Sequence, residues 1–138
     1  MNNLPVLTPG QTADLDGVAV NYTSNVKDPE DVTLILIHGF GASLESWHGV
    51  HPALSAQFPV VRLDLKGHGF SSKPKHDKYS LDEQARLVTA FINKLGLKRV
   101  VLVGHSFGGG VALLTFLQRQ DRRASFDIAG LILIGSAG

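Results

Sequence analysis

Apolar and polar residues alternate from Gln11 to Leu15 and again from Val18 to Ser24, the period-two pattern of strands with one buried face. Asp16-Gly17 between them predicts a tight hairpin. After the polar loop Lys27-Asp28-Pro29-Glu30-Asp31 the pattern changes: Val32–Ile37 is a continuous, mostly β-branched and apolar run, as in a strand covered on both faces. Val60–Leu63, Val100-Val101-Leu102-Val103 and Leu131-Ile132-Leu133-Ile134 repeat that character. Helical patterns separate these runs. Pro52 suits the first turn of a short helix ending near Phe58. A second helix should start after Ser80, whose S-x-x-E spacing to Glu83 is a capping signature, and stop at Gly96. A third should run from about Phe107 to Gln120. The pattern predicts an α/β fold: a hairpin, then βαβαβαβ, giving a mostly parallel sheet with helices on both faces. Residues 1–11 are expected to form a flexible N-terminal arm.

The strand at 100–103 runs straight into Gly104-His105-Ser106-Phe107-Gly108-Gly109-Gly110, and a helical pattern begins at once. Strand, G-x-S-x-G, helix is the context of a nucleophile elbow. Such a turn must be sharp enough to strain the serine backbone and project its hydroxyl clear of the sheet. Gly104 and Gly108 carry no side chain to collide across it, and Gly109 and Gly110 allow the helix to approach the strands. The helix N-terminus brings free N–H groups to the place where an oxyanion would form. Ser106 is therefore the candidate nucleophile. His105 adjoins it in sequence, but the elbow should turn that side chain away.

At the end of the first buried strand lies Ile37-His38-Gly39-Phe40-Gly41-Ala42-Ser43. An oxyanion hole needs two backbone donors. Phe107, just after the candidate nucleophile, is one, and Phe40 in this loop is the other. Gly39 and Gly41 permit the backbone angles that aim an amide. His38 reads as a residue that holds the loop by hydrogen bonding rather than as a catalytic base. Further on, Asp64-Leu65-Lys66-Gly67-His68-Gly69-Phe70-Ser71-Ser72-Lys73-Pro74 is a tight loop in which Asp64 reads as a structural brace, not a catalytic acid.

These three motifs, in this order, resemble the amino-terminal half of a serine-nucleophile α/β-hydrolase-fold protein of the esterase, lipase or carbon–carbon hydrolase kind. Trp47 falls where many members of that family carry an aromatic residue. The resemblance covers about residues 12–138. It implies strands one to six of an eight-stranded sheet and hydrolysis of a small-molecule ester or related acyl substrate through a Ser106 acyl-enzyme. In the family the acid and histidine of the triad follow strands seven and eight, which lie beyond Gly138. The expectation is a single incomplete domain over 1–138 that lacks the lid, the last strands, the triad acid and its histidine. All six histidines precede Ser106. The alternative is an inactive truncated or split product acting as an interaction module. In either case an oligomeric contact or a complementing chain is expected over the strand at 131–134.

Composition narrows the field further. The chain of 138 residues is 43% hydrophobic and 18% charged, with a net charge of +1 and no basic run, so no nucleic-acid partner is expected. It has no cysteine, hence no disulfide or thiolate metal site. No histidine and carboxylate set has convincing zinc spacing, and the glycine motifs lack the remaining residues of a dinucleotide or phosphate loop. No cofactor and no metal are expected. No apolar stretch reaches the ~18–20 residues of a membrane span, and no signal peptide is visible, so a cytoplasmic location is expected.

Overall fold

The computed structural model describes residues 10–135. Asp16 and Gly17 both take positive φ, 51° and 90°, as a type I′ turn demands. Strand β1 (Gln11–Leu15) therefore folds back on β2 (Val18–Ser24) with Leu15 opposite Val18. Gln11 already pairs with Tyr22, and the Gly10 N–H donates to Asn21 Oδ1 at 2.6 Å. The arm expected over 1–11 is thus shorter by those two residues, and residues 1–9 lie outside the described residues.

Four further strands complete one sheet: β3 (Val32–Ile37), β4 (Val60–Leu63), β5 (Arg99–His105) and β6 (Asp127–Ile134). Their order is β1-β2-β4-β3-β5-β6. The hairpin joins antiparallel through β2 and β4, whereas β4, β3, β5 and β6 run parallel. The chain moves outward from β3 to β4, then crosses back over β3 to β5. That reversal opens a crevice between the carboxyl ends of β3 and β5, the place where open α/β sheets bind ligands.

Two strands are longer than their apolar runs. β5 begins at the charged Arg99 and continues through Gly104 and His105. β6 begins at Asp127 rather than Leu131, because a register shift sets Ile128 opposite Val100 and Gly130 opposite Val101, leaving Ala129 unpaired. Such a bulge breaks the alternation that marks a strand.

Helix α1 (His51–Ser55) has Pro52 in its first turn and ends before Phe58. Helix α2 (Leu81–Leu95) begins where the Ser80 hydroxyl accepts from the Glu83 N–H at 3.2 Å, and it stops at Gly96, φ 70°. Helix α3 (Phe107–Leu117) ends three residues short of Gln120. Helices α2 and α3 cover one face of the sheet, where Val88, Phe91, Ile92, Val111 and Ala112 pack on Ile35, Ile37, Leu63 and Leu102. On the other face Trp47, from a 3₁₀ turn at Leu44–Trp47, packs with Leu36, Val60 and Val103, and Leu54 of α1 lies against them. The outer strand β6 is less covered: Ile132, Leu133 and Ile134 are 48%, 43% and 44% exposed.

Candidate active site

Register places Ile37 of β3 opposite Gly104 of β5, so the loops leaving these strands meet at the crevice. Ser106 follows β5 directly at φ 57°, ψ −120° and serves as the N-cap residue of α3. Its backbone N–H donates to the Ile134 carbonyl at 3.0 Å, and its carbonyl accepts from Gly109 at 2.9 Å. The hydroxyl, on a half-buried residue, makes no hydrogen bond among the described residues. The turn closes only over glycine. A Cβ on Gly104 would collide with the Gly108 carbonyl and stand 2.6 Å from Gly109 Cα. A Cβ on Gly108 would strike the carbonyl oxygens of Ile37 and His38. The close approach expected of Gly110 is instead to Leu81 of α2, whose Cδ2 would lie 3.0 Å from an added Cβ.

Gly39 is buried against the elbow, and a Cβ there would sit 3.5 Å from Ser106 Cβ and from the His105 carbonyl. Beside it, Phe40 is 72% exposed. Neither the Phe40 nor the Phe107 amide N–H has a hydrogen-bond partner among the described residues. His38 is fully buried; its Nδ1 lies 2.7 Å from the Gly39 carbonyl and its Nε2 accepts from the Leu65 N–H at 3.0 Å. Burial is the main cause that lowers its pKa from 6.5, matching a neutral ring with one donor and one acceptor.

The loop of residues 64–74 backs this arrangement. Asp64 is 1% exposed, and its carboxylate accepts from Leu44 N–H at 2.8 Å, Phe70 N–H at 2.9 Å and Asn21 Nδ2 at 2.9 Å. Its oxygens are thus occupied by backbone and amide donors, with no histidine bonded to it among the described residues. A Cβ on Gly69 would overlap that carboxylate. The hydroxyls of Ser71 and Ser72 accept from Asn21 and Ala19 of β2 at 2.9 and 2.8 Å, tying the loop to the sheet. His68, which the sequence pattern presents only as a loop residue, is buried: its Nε2 accepts from Gly41 N–H at 3.0 Å and its Nδ1 lies 3.0 Å from the Lys66 carbonyl. A partner 27 residues away leaves no mark in the local pattern.

A cavity of about 470 Å³ adjoins Ser106, lined by Phe40, Ala42, Trp47, Val50, His105 and Ile134 among others. His105 does not leave the site as completely as expected. It is exposed on the cavity wall, edge-on to Trp47 with ring centroids 6.5 Å apart, but no hydrogen bond joins it to Ser106. The walls are mainly apolar. Among the described residues, no three His, Asp or Glu side chains are placed to hold a metal ion, and no helix is long and apolar enough to cross a membrane.

A family model described as the alpha/beta hydrolase fold matches residues 32–136. The chain belongs to the α/β-hydrolase fold family. This α/β-hydrolase chain is 41% identical over 108 residues to an uncharacterised protein of Mycobacterium tuberculosis, an alignment covering 76% of the chain and 29% of that protein. Among solved structures it is similar to a bacterial membrane phospholipase A, with TM-score 0.82 and 34% identity over 93% of this chain and 39% of that one. It is likewise similar to a meta-cleavage product hydrolase of Pseudomonas fluorescens, with TM-score 0.80 and 31% identity over 94% of this chain and 46% of that one. The chain spans less than half the length of the curated relatives it matches.

Proposed function

We propose that the protein carrying this chain is a serine hydrolase acting on a small-molecule ester or related acyl substrate, with Ser106 as nucleophile. The observation that carries this reading is a serine in a strained elbow at a helix N-terminus, with its hydroxyl and the Phe40 and Phe107 amides unpartnered among the described residues. Ser106 Oγ attacks the substrate carbonyl carbon while its proton passes to an imidazole. The oxyanion of the tetrahedral intermediate accepts from the Phe40 and Phe107 N–H groups, aided by the positive end of α3. Collapse breaks the bond to the leaving group, which takes the proton from the imidazolium. Water then releases the acyl group from Ser106 by the reverse sequence.

None of the six histidines in this span bonds to Ser106 among the described residues. The reading therefore assigns the base, and the acid that orients it, to polypeptide outside residues 1–138. A membrane phospholipase A and a meta-cleavage product hydrolase both stand among the similar structures, so the reaction class is held at acyl transfer to water. The test is hydrolysis of short-chain p-nitrophenyl esters by the protein as expressed from its own gene. Turnover that falls by about 10³-fold or more in Ser106→Ala supports the reading, and turnover unchanged in that variant overturns it.

A further inference from the structure

An amide donor is useful in a reaction only if its N–H is held in one direction, and a planar peptide turns as a unit with its carbonyl. The Phe40 N–H shares a plane with the Gly39 carbonyl. That carbonyl faces His38 Nδ1 at 2.7 Å and the Ala42 N–H at 3.2 Å, so the Phe40 N–H, on the opposite edge of a trans peptide, points away from both. The next plane joins the Phe40 carbonyl to the Gly41 N–H, and Gly41 stands at φ +76°. With glycine on each side of Phe40, both planes could turn freely unless something holds them.

His68 holds the second plane. The Gly41 N–H donates to its Nε2 at 3.0 Å, while its Nδ1 lies 3.0 Å from the Lys66 carbonyl. A nitrogen that faces an amide must offer a lone pair, and one that faces a carbonyl must carry the hydrogen, so the two partners select the neutral Nδ1–H tautomer. The same ring stands edge-on to the Phe40 ring with centroids 5.7 Å apart, and the Phe40 ring meets Phe107 at 5.7 Å. His38 and His68 also lie 5.0 Å apart, and their bonds run in opposite senses between the two loops. His38 reaches from the 38–43 loop to Leu65, and His68 reaches back from the 64–74 loop to Gly41.

We propose that His68 is a positioning residue for the oxyanion donor: by accepting the Gly41 N–H and standing edge-on to the Phe40 ring it anchors the loop on the far side of Phe40, while the bonds to the Gly39 carbonyl orient the plane that carries the Phe40 N–H, so that this N–H is held toward the reacting carbonyl. This inference rests on the serine-hydrolase reading. Three substitutions separate positioning from packing. His68→Gln keeps an acceptor near the place of Nε2. His68→Asn carries its amide nearer the place of Nδ1 and does not reach Gly41. His68→Phe keeps an aromatic ring without an acceptor.

The experiment is ester hydrolysis by the protein as expressed from its own gene. The expected result is a fall in kcat of about 10- to 100-fold for the Phe and Asn variants with KM little changed, and recovery of most of it by Gln. A Phe variant with wild-type kcat overturns the proposal, as does a Gln variant that falls as far as Asn. Should the Phe variant fail to fold, the contrast between Gln and Asn decides alone. Inactive Ser106→Ala alongside a fully active His68→Phe faults only the role of His68. Fully active Ser106→Ala faults the serine reading and this inference with it.

Discussion

Ser106 at φ 57° adopts a backbone that glycine visits readily and other residues reach at a cost of about 1–3 kcal/mol. Replacing it by Gly and by Ala removes the hydroxyl in both cases, but only Gly relieves the backbone. Ser106→Gly should therefore exceed Ser106→Ala in stability by about 1 kcal/mol, read from urea midpoints. Equal midpoints would mean that the elbow is not strained. His38 supplies a second prediction. Burial lowers its pKa from 6.5 in the folded state, so between that lowered value and 6.5 the unfolded chain binds more protons than the native one. Stability accordingly rises with pH across this window and is lost as the solution is acidified below 6.5. His51, lowered chiefly by burial too, adds with the same sign. An NMR titration should find the His38 ring titrating below 6.5, and a value at or above 6.5 would contradict its neutral, doubly bonded placement. At this scale Gly104, Ser106 and Gly108 were legible because the elbow is local. The bond from Gly41 to His68 was not, since it exists only once β3 and β4 lie side by side.

Helix α2 shows how much an element's ends depend on a few residues. Ser80 caps its N-terminus, Gly96 takes the left-handed C-terminal position, and the apolar residues between them face the sheet. Ser80→Ala should cost about 1 kcal/mol by leaving a backbone N–H without its cap, measured as a shift in urea midpoint. No shift would mean that tertiary packing alone sets the start of this helix. The bounds of β1, β2, β3, β4 and α2 follow directly from period, turn chemistry and caps. Those of β5 and β6 do not. Arg99 and His105 are exposed residues at the ends of a buried strand, and the register shift beside Ala129 hides the first half of β6. Helix α3 likewise lacks a glycine stop, so its end near Leu117 depends on contacts distant in sequence.

For the whole molecule, reversal of strand order at β3 is what brings the two catalytic candidate loops together, one from each side of a single crevice. The same sheet leaves β6 as an edge with three consecutive apolar residues between 43% and 48% exposed. Each of these side chains gains up to about 1.5–3 kcal/mol from full burial, against about 5–15 kcal/mol for the net stability of a domain. Expressed as 138 residues alone, the chain should therefore associate with itself in sedimentation experiments, and Ile132→Lys should weaken that association. A stable monomer with a sharp, reversible unfolding transition would contradict this. Whether Ser106 is an activated nucleophile is decided by treating the protein expressed from its own gene with a fluorophosphonate and mapping the adduct by peptide mass spectrometry. A single phosphonylated site is expected at Ser106, lost in Ser106→Ala. A folded protein that takes up no label, or takes it up at another residue, would contradict it.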